Sequence, residues 1–339
     1  MPRVTCRTIA EHLKLSKETV THILGGRAER FRPETVARVE AAARELGYRK
    51  HGAAKAMRTG RHNAIGLVGR IDIGPLHFEI QRWTIDQCRK RDWHVLATEL
   101  KIDDLGDPEH GPLMLRELAV DGLLVHYARA IPDALIDLVA ATRSPVVWIN
   151  TQHPTDAVYP DDAHAWDQAL AALHEAGHRR IAYIGPPPPH SHPSWRDRET
   201  GACAAAAAHG CQCQVHHVPD NWRQLGWDRI RWCRALLTGP ARPTAVLMPR
   251  ASDAASMVAA AAAEGLEVPR DLSLVAITDG GHATCQGIPL AHMRIPSREL
   301  AMQALAMLST KIDTPATQAS VAVPFDSLTT ATITKAPSL

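Results

Sequence analysis

The stretch TCRTIAEHLKLSKETVTHILGG, residues 5–26, decides the fold of the N-terminal part of this chain. Its apolar residues recur at spacings of three and four in each half, which predicts two helices that each bury one stripe. Thr5 and Ser16 are suited to cap these helices, and Gly25 and Gly26 are suited to end the second. The stripes consist of Cys6, Ile9, Ala10 and Leu13, and of Val20, Ile23 and Leu24. We therefore expect two short helices joined by a tight turn.

A third helix is predicted to begin at Pro33, because proline is favoured at the first helical position, and to end at Gly47. Its inward residues would be Val36, Val39, Ala43 and Leu46. Three such helices close a domain of about fifty residues, near the lower limit for independent folding. The second helix has an exposed polar face that could read base edges in a major groove, although an ordinary solvated helix face is the alternative. This face consists of Lys17, Glu18, Thr21 and His22.

The charges of the chain are unevenly distributed. The 339 residues have a net charge of +2, but residues 1–62 hold 14 Lys or Arg against 6 Asp or Glu, a net charge of +8, and residues 63–339 hold 24 against 30, a net charge of −6. A basic part attached to an acidic body is the electrostatic pattern of a nucleic-acid-binding module joined to a different kind of domain. A basic surface without a partner is the alternative that charge alone leaves open.

The motifs of residues 4–48 resemble those of one family of regulators. Val4, Thr5, Ile9 and Ala10, followed by LSKETVTHIL and RPETVARVEAAARELGY, are similar in order and spacing to the DNA-binding head of the lactose-repressor-like (LacI/GalR) family. Thr21 and His22 stand where the family usually has Ser-Arg, so the family's operator sequences do not carry over. The resemblance implies a helix-turn-helix domain over residues 1–48, with operator contacts by Thr5, Ser16, Lys17, Glu18, Thr21, His22 and Arg30.

Residues 49–62, RKHGAAKAMRTGRH, form a predicted hinge segment. The segment is basic and has a helix-prone centre that is too short to be stable alone, since isolated helices under about 12 to 15 residues are marginal in water. In the family, this segment is a hinge helix that orders against its dimer mate on DNA and wedges an apolar residue into the minor groove. The resemblance places Ala54 and Met57 in contact with DNA here. Lys50 and His51 replace the usual Pro-Asn, and a flexible basic linker is the alternative.

From residue 63 onward, short apolar runs alternate with helical patterns, as in AIGLVGRI followed by EIQRWTIDQCRKRD. This alternation predicts parallel sheets with crossover helices, in two doubly wound series. The expected fold class is therefore α/β, with an all-α helix-turn-helix domain and two parallel-sheet lobes. DGLLV, AGHRRIAYIGPP and GLEVPRDLSLVAI resemble the family's effector-binding core, itself similar to periplasmic sugar-binding proteins. We expect this core over residues 63–339, with an N-lobe of about 63–162 and 293–324 and a C-lobe of about 163–292 and 325–339.

Ligands of open parallel sheets bind beyond the carboxyl ends of the strands. The resemblance adds two residues to those at the strand ends: Asp161 in YPDD, and Arg198, which matches the family arginine that usually holds effector hydroxyls or a carboxylate. Trp195 and Trp222 are candidates for a wall on which a flat ring stacks. The predicted strand ends carry Arg70, Asp72, His126, Asn150, Arg250 and Asp279. We expect a small-molecule effector, a sugar or a sugar acid, between the two lobes.

Arg250 decides between two interpretations of this pocket. Arg250 and Ala251 stand where many sugar-responsive members have Asn-Asp, so that a guanidinium replaces acceptors for sugar hydroxyls. Together with Arg198 and Arg70, Arg250 could hold a carboxylate or phosphate in bidentate fashion, which favours an anionic effector such as a uronic or sugar acid. The alternative is that Arg250 pairs with a neighbouring carboxylate and touches no ligand.

Other classes of function are disfavoured. Neither GxSxG nor GxxxxGK[ST] occurs, so we expect no enzyme and no cofactor. The Cys and His residues between positions 203 and 217 lack paired metal-ligand spacing, which favours buried thiols and surface imidazoles over a zinc site. No run of 18 apolar residues and no signal-peptide pattern is found, which predicts a cytoplasmic protein without a membrane segment.

We expect a sequence-specific regulator, of the repressor type, that binds a double-stranded DNA operator as a homodimer and responds to the effector. The alanine-rich stretch 252–263 could supply the subunit contact, although packing against a sheet explains it equally well. A binding protein without a gene-regulatory role, and a regulator of a non-sugar ligand such as a nucleobase or of a partner protein, are the alternatives.

Overall fold

A computed structural model describes residues 4–48, 56, 60–69, 75–99, 120–126, 131–189, 192–239, 241–280, 284–285 and 287–337. The chain divides into two compact units, Met1–His62 and Asn63–Leu339. In the part of the chain covered by these ranges, no helix has both the length and the apolar character that crossing a membrane requires.

The first unit contains three helices over residues 4–48, which we call the head. They are α1 (Cys6–Leu13), α2 (Lys17–Leu24) and α3 (Pro33–Glu45), with a 3-10 turn at Ala28–Arg30 between α2 and α3. They bury a common apolar centre, so the three predicted stripes are confirmed. The buried members are Ile9, Ala10, Val20, Ile23, Val39, Ala42 and Ala43.

Local capping sets the ends of the head helices. The backbone N–H of Thr8 donates to Thr5 Oγ1 over 3.3 Å, and that of Thr19 donates to Ser16 Oγ over 3.0 Å, which satisfies N–H groups that have no partner inside a helix. The tight turn between α1 and α2 passes through Lys14 in the left-handed region, at φ 54°. The caps predicted at Thr5 and Ser16 are therefore confirmed.

The N-lobe of the second unit is built on a six-stranded sheet in the order β13-β5-β4-β3-β1-β2, with all its strand pairs parallel. Parallel neighbours need crossover connections, and helices supply them here. Its described helices are α4 (Pro75–Arg89), α5 (Asp133–Ala141) and, late in the chain, α10 (Ser297–Asp313). The strands are β1 (Ala64–Gly69), β2 (His94–Glu99), β3 (Gly122–His126), β4 (Val146–Ile149), β5 (Ala157–Pro160) and β13 (Val321–Val323).

The C-lobe is built on a second parallel sheet of five strands, in the order β12-β9-β8-β6-β7. Its helices are α6 (Asp167–Glu175), α7 (Pro193–Ala208), α8 (Asp228–Leu237) and α9 (Ala254–Ala263). Its strands are β6 (Arg180–Gly185), β7 (Gln212–His217), β8 (Ala245–Met248), β9 (Ser273–Thr278) and β12 (Ala291–Arg294), and β10 (Thr284–Cys285) and β11 (Ile288–Pro289) form a separate hairpin. The predicted fold class is confirmed.

The last segment of the C-lobe, residues 328–335, forms no regular strand. It joins the sheet through an isolated bridge between Thr329 and His292 and through the Thr332 hydroxyl, which donates to the Leu274 carbonyl oxygen over 2.5 Å. A few backbone hydrogen bonds at Thr329 and Thr332, together with the hydroxyls of these threonines, thus take the place of a regular ladder.

Candidate functional site

The exposed face of α2 is the candidate DNA-contact surface of the head. Lys17, Glu18 and Thr21 are exposed to solvent, because Val20 and Ile23 take the inward positions of the same helix. His22 is half-buried, and its ring lies 6.4 Å from that of Phe31 at an interplanar angle of 28°. Phe31, which stacks on the His22 imidazole, was not among the residues predicted from the sequence.

The remaining predicted DNA contacts are placed as follows. Thr5 and Ser16 are exposed, with their hydroxyl oxygens engaged in the caps of α1 and α2. Arg30 is exposed at the end of the 3-10 turn after α2. Ala54 and Met57, and with them most of the predicted hinge, lie outside the described residues.

Arg198 and Asp162 form a buried ion pair between α7 and the segment that joins β5 to α6, which we call the β5 crossover. Arg198 Nε donates to Asp162 Oδ1 over 2.7 Å, and the two side chains are only 7% and 5% exposed. Arg198 Nη1 also donates to the Pro249 carbonyl oxygen over 3.4 Å. Burial raises the pKa of Asp162 to about 6, and the Arg198 guanidinium opposes this effect. The pair therefore links α7, the β5 crossover and the end of β8.

Gly201 explains how α7 can lie this close to the crossover. A Cβ at Gly201 would lie 2.1 Å from the Ala163 carbonyl oxygen, and backbone cannot give way as the tip of a side chain can. Only glycine permits this approach, which brings Arg198, one helical turn earlier, within reach of Asp162.

The ring of Trp195 lies close to the guanidinium groups of both Arg198 and Arg250. The guanidinium carbon of Arg198 is 5.9 Å from the Trp195 ring centroid, and that of Arg250 is 5.3 Å from it. Both distances fall within the range of cation–π attraction. Burial raises the pKa of Asp279, and the charges of Arg198 and Arg250 oppose it, so this carboxyl group shares their electrostatic environment. Four of the predicted effector residues are thus brought together.

Arg250 pairs with a neighbouring carboxylate, as one of the two interpretations of the sequence had it. Arg250 Nε donates to Asp253 Oδ2 over 2.8 Å, at i,i+3 spacing. The other oxygen of Asp253 accepts a hydrogen bond of 3.1 Å from Trp222 Nε1. The placement of Trp222 argues against a stacking role, because the ring is 2% exposed and packs edge-on against Trp232.

His126 and Asn150 also differ from the sequence expectation. The His126 side chain is fully buried, with its Nδ1 2.9 Å from His77 Nδ1 and its Nε2 3.2 Å from Asn150 Nδ2. The Asn150 carbonyl oxygen accepts a 2.8 Å hydrogen bond from His192 Nε2. These groups bond to one another across the two lobes, so His126 has no free face for a ligand.

The other three predicted effector residues are Asp161, Arg70 and Asp72. Asp161 pairs with the exposed His164, whose Nδ1 is 2.9 Å from Asp161 Oδ1. The next residue, Asp162, is the one that pairs with Arg198. Arg70 and Asp72 lie outside the described residues.

Sequence reasoning missed Asp162, Asp253 and His192. The i,i+3 spacing of Asp253 from Arg250 was a usable signal, because residues three apart on a helical turn are neighbours. YPDD offered two adjacent carboxylates, and nothing local distinguishes Asp162 from Asp161. His192 carried no signal, since its partner Asn150 is 42 residues away.

Two of the Cys and His residues between positions 203 and 217, Cys211 and His217, bond to groups outside this stretch. The Cys211 thiol donates to the His178 carbonyl oxygen over 3.3 Å, and His217 Nε2 lies 2.9 Å from Glu199 Oε2. Within the described ranges, no three His, Cys, Asp or Glu side chains are arranged so that they could hold a metal ion.

Comparisons with known proteins agree with this architecture. Residues 170–330 match the family described as a periplasmic binding protein-like domain. The chain is 33% identical over 293 residues to the HTH-type transcriptional regulator AglR of Rhizobium meliloti (strain 1021), covering 81% of this chain and 78% of that protein. It is 25% identical over 325 residues to the ribose operon repressor of Escherichia coli (strain K12), covering 93% and 94%.

The fold is also that of a solved repressor. The crystal structure of the lac repressor dimer bound to operator and the anti-inducer ONPF superposes with a TM-score of 0.76 at 19% identity, covering 98% of this chain and all of that one. The fold, the motif of the head and the sequence identity over four fifths of the chain all indicate the same family. The chain belongs to the LacI/GalR family of transcriptional regulators.

Proposed function

We propose that the protein is a repressor that binds a near-palindromic DNA operator as a homodimer and that releases or engages it in response to a small sugar bound between its lobes. The observation that carries the effector site is the grouping of Trp195, Arg198, Arg250 and Asp279 at the strand ends of the C-lobe. An aromatic face beside charged hydrogen-bonding groups is the usual composition of a sugar site.

A neutral sugar fits the charges of this site better than a sugar acid. Each of the two guanidiniums has an aspartate partner, Asp162 for Arg198 and Asp253 for Arg250. Asp279 adds a third carboxyl group to the same environment. Carboxylates accept hydrogen bonds from sugar hydroxyls but repel another carboxylate, so the acid would have to displace an existing ion pair. The name of the ribose operon repressor gives independent support for a sugar.

The proposed coupling follows from the two-lobe construction. A ligand that contacts Arg198 and Trp195 on α7 biases the position of the C-lobe relative to the N-lobe. We infer that the change reaches the heads through residues 49–62. Such coupling is reciprocal and typically amounts to about 1 to 3 kcal/mol, or roughly fivefold to 150-fold in operator affinity.

The outer face of α4 is the proposed subunit contact. Phe78 and Ile85 are 61% and 45% exposed, and their spacing of seven residues places them one above the other on the helix. Arg82 lies between them and pairs with Glu79 over 2.7 Å. Large exposed apolar side chains aligned on one helix are typical of an interface. The lac repressor structure of the same fold is described as a dimer, which favours a second copy of this chain as the occupant.

The alanine-rich helix α9 packs inside the C-lobe. Ala254, Met257, Ala260 and Ala261 are buried in its core together with β8 and β9. Packing against the sheet accounts for the small residues of this helix, so α4 replaces α9 as the proposed contact.

The effector proposal is tested by calorimetry of the full chain. The panel contains neutral pentoses, hexoses and glucosides, each beside the uronic or aldonic acid of the same carbon skeleton. We expect a neutral sugar to bind at least about tenfold more tightly than its acid. Tighter binding of the acid would contradict the proposal that the ion pairs with Asp162 and Asp253 leave neither guanidinium available for a carboxylate. If no panel member binds, the sugar assignment fails.

The DNA proposal is tested by selecting bound fragments from a genomic library and measuring their affinity with and without the identified sugar. We expect one near-palindromic site to be enriched, with an affinity that falls steeply with salt because the head is basic. Enrichment without any shared motif would contradict sequence-specific binding.

A further inference from the structure

A chain of hydrogen-bonded histidines joins the two lobes, and its first two members are on the N-lobe. His77 on α4 and His126 at the end of β3 stack with their rings 5.1 Å apart and an interplanar angle of 10°. Their Nδ1 atoms are 2.9 Å apart. Gly69 makes room for this stack, because a Cβ there would lie 2.6 Å from His77 Cε1.

Asn150 carries the chain from the N-lobe to the C-lobe. It adopts the left-handed region at φ 59°, directly after β4, which asparagine tolerates better than most residues. Its side-chain Nδ2 donates to His126 Nε2 over 3.2 Å. Its backbone carbonyl oxygen accepts a 2.8 Å hydrogen bond from His192 Nε2. One residue thus contacts histidines of both lobes.

His192 connects the chain to α7, the helix that carries Trp195 and Arg198. It is the N-cap of this helix, since its Nδ1 accepts a 3.2 Å hydrogen bond from the Ser194 backbone N–H and lies 2.7 Å from Ser194 Oγ. The imidazole therefore uses both ring nitrogens, one for the helix cap and one for the N-lobe.

The partners fix the protons of these rings. Asn150 Nδ2 can only donate, so His126 Nε2 is unprotonated and its Nδ1–H donates to His77 Nδ1. His192 donates through Nε2 to a carbonyl and accepts at Nδ1, so its ring is neutral too. A second proton on either His126 or His192 would face another donor, and the chain holds only while these imidazoles are neutral.

The surroundings favour the neutral form. Burial lowers the pKa of His126 to about 3 and that of His192 to about 4, and it also lowers the pKa of His77. Among the described residues, the charged or titratable neighbours of His126 are His77 and His192. Those of His192 are His126, Arg198 and Asp197.

We propose that His77, His126, Asn150 and His192 form an inter-lobe latch that positions the first turns of α7, and with them Trp195 and Arg198, against the N-lobe. This inference rests on the proposed effector site. The latch residues are positioning residues and need not touch the effector. At its other end the latch lies on α4, whose outer face carries Phe78 and Ile85.

The latch is also distinct from a solvent-exposed hydrogen bond between the N-lobe and α7. Gln152 Nε2 donates to Asp197 Oδ2 over 2.5 Å, but this pair is exposed and competes with water. The histidine chain is buried throughout and leaves unpaired groups when it breaks, which is costly. Gln152→Ala is therefore a matched control.

The first test breaks the latch at the C-lobe and keeps the helix cap. In His192→Asn, the amide oxygen can replace Nδ1 as the cap, because asparagine is a favoured N-cap, but the side chain is too short to reach the Asn150 carbonyl. We expect the amides of residues 194–199 to exchange hydrogen about fivefold to tenfold faster, and less than twofold faster in Gln152→Ala. Equal exchange in both variants would overturn the proposal.

The second test breaks the latch at the far end, on the N-lobe. His77→Leu removes the acceptor for His126, whereas His77→Asn keeps an oxygen near the position of Nδ1. We expect faster exchange at residues 194–199 in the leucine variant and recovery in the asparagine variant. Gly69→Ala, which displaces the His77 ring, should match the leucine variant. Unchanged exchange on α7 in both disruptive variants would show that the chain does not couple the lobes.

The third readout is the tautomeric state. In protein labelled with 15N at histidine, we expect ring signals of the neutral Nδ1–H form for His126 and the neutral Nε2–H form for His192 at pH 7. A charged ring for either would overturn the latch. These measurements need no effector, so a latch that holds while no sugar binds leaves only the proposed function in error.

Discussion

Arg198 has a structural role in its ion pair with Asp162 beside its proposed effector role, and the two can be separated. Arg198→Ala leaves Asp162 buried without its partner, which is expected to cost about 3 to 5 kcal/mol of unfolding free energy. We also expect it to abolish the effector response and to spare operator binding, as measured by denaturant unfolding and by operator titration with the identified sugar.

Arg250→Ala is the control for this prediction. Asp253 stays hydrogen-bonded to Trp222 and is less buried than Asp162, so the cost should be about 1 kcal/mol or less. If Arg198→Ala proved as stable as Arg250→Ala and still responded to the sugar, the assignment of the cleft would be wrong.

His192 predicts a specific dependence of stability on pH. Its pKa falls from 6.5 to about 4 on folding, so between these pH values the unfolded chain takes up a proton that the folded chain excludes. The contribution of the neutral His192 to the free energy of unfolding is therefore complete above pH 6.5. It is lost as the pH falls towards 4, by about 1.4 kcal/mol per pH unit.

Comparison with His192→Asn isolates this contribution, because the other titrating groups cancel. We expect the difference in unfolding free energy between the native chain and the variant to shrink by about 2 kcal/mol from pH 7.5 to pH 5. Urea unfolding at the two pH values measures it. A constant difference would contradict a neutral, buried His192.

Thr21 is expected to govern operator choice without affecting stability. Its side chain is exposed on α2, so Thr21→Ala should change the unfolding free energy by less than about 0.5 kcal/mol. Affinity for the selected operator should fall, and the preference among sites with single-base changes should shift. Glu45→Ala, at the exposed end of α3, should leave that preference unchanged. The same preference in both variants would remove Thr21 from the base-reading set.

At the scale of elements, α7 is the helix on which the site depends. One glycine sets its distance from the β5 crossover, one ion pair ties it to the same segment, and one histidine caps it. Its apolar surface is largely alanine, which lets it lie close to β6 and β7.

Gly201→Ala tests this dependence. The added methyl would overlap the Ala163 carbonyl, and overpacking of this kind typically costs about 1 to 3 kcal/mol. Gly239→Ala adds the same methyl where nothing lies within 4 Å and should be nearly neutral. Thermal unfolding compares the two. Equal melting temperatures would show that α7 can move away without loss.

At the scale of the whole molecule, each subunit of the proposed dimer contributes one basic head and one acidic body. Phe78→Glu should convert the dimer to a monomer, because a charge replaces the apolar centre of the α4 face. Operator affinity should fall by at least about tenfold, since a monomer presents one head to a two-part site. Sedimentation equilibrium and operator titration measure the two effects.

Trp227 provides the matched control for the dimer. It is an exposed apolar residue of the C-lobe, ahead of α8, and is not on α4. Trp227→Glu should remain dimeric. Dissociation of this variant instead of Phe78→Glu would move the interface to the C-lobe.

The sequence by itself determined the features that depend on neighbours along the chain. Helical spacing predicted all three head helices. The caps of the first two depend on Thr5 and Ser16, whose hydrogen bonds reach only three residues, and the start of the third depends on Pro33. Alternating runs predicted two parallel sheets, and the charge count separated a basic from an acidic part at residue 62.

Only the tertiary structure decided the site. It chose Asp162 over Asp161 as the partner of Arg198, 36 residues away, and it joined His77 to His126 across 49 residues and His192 to Asn150 across 42. It also left Arg250 with a local partner, and it withdrew Trp222 and His126 from solvent. The physical reason is that ion pairs and burial depend on distances in space, which close only after the sheets and their crossovers have formed.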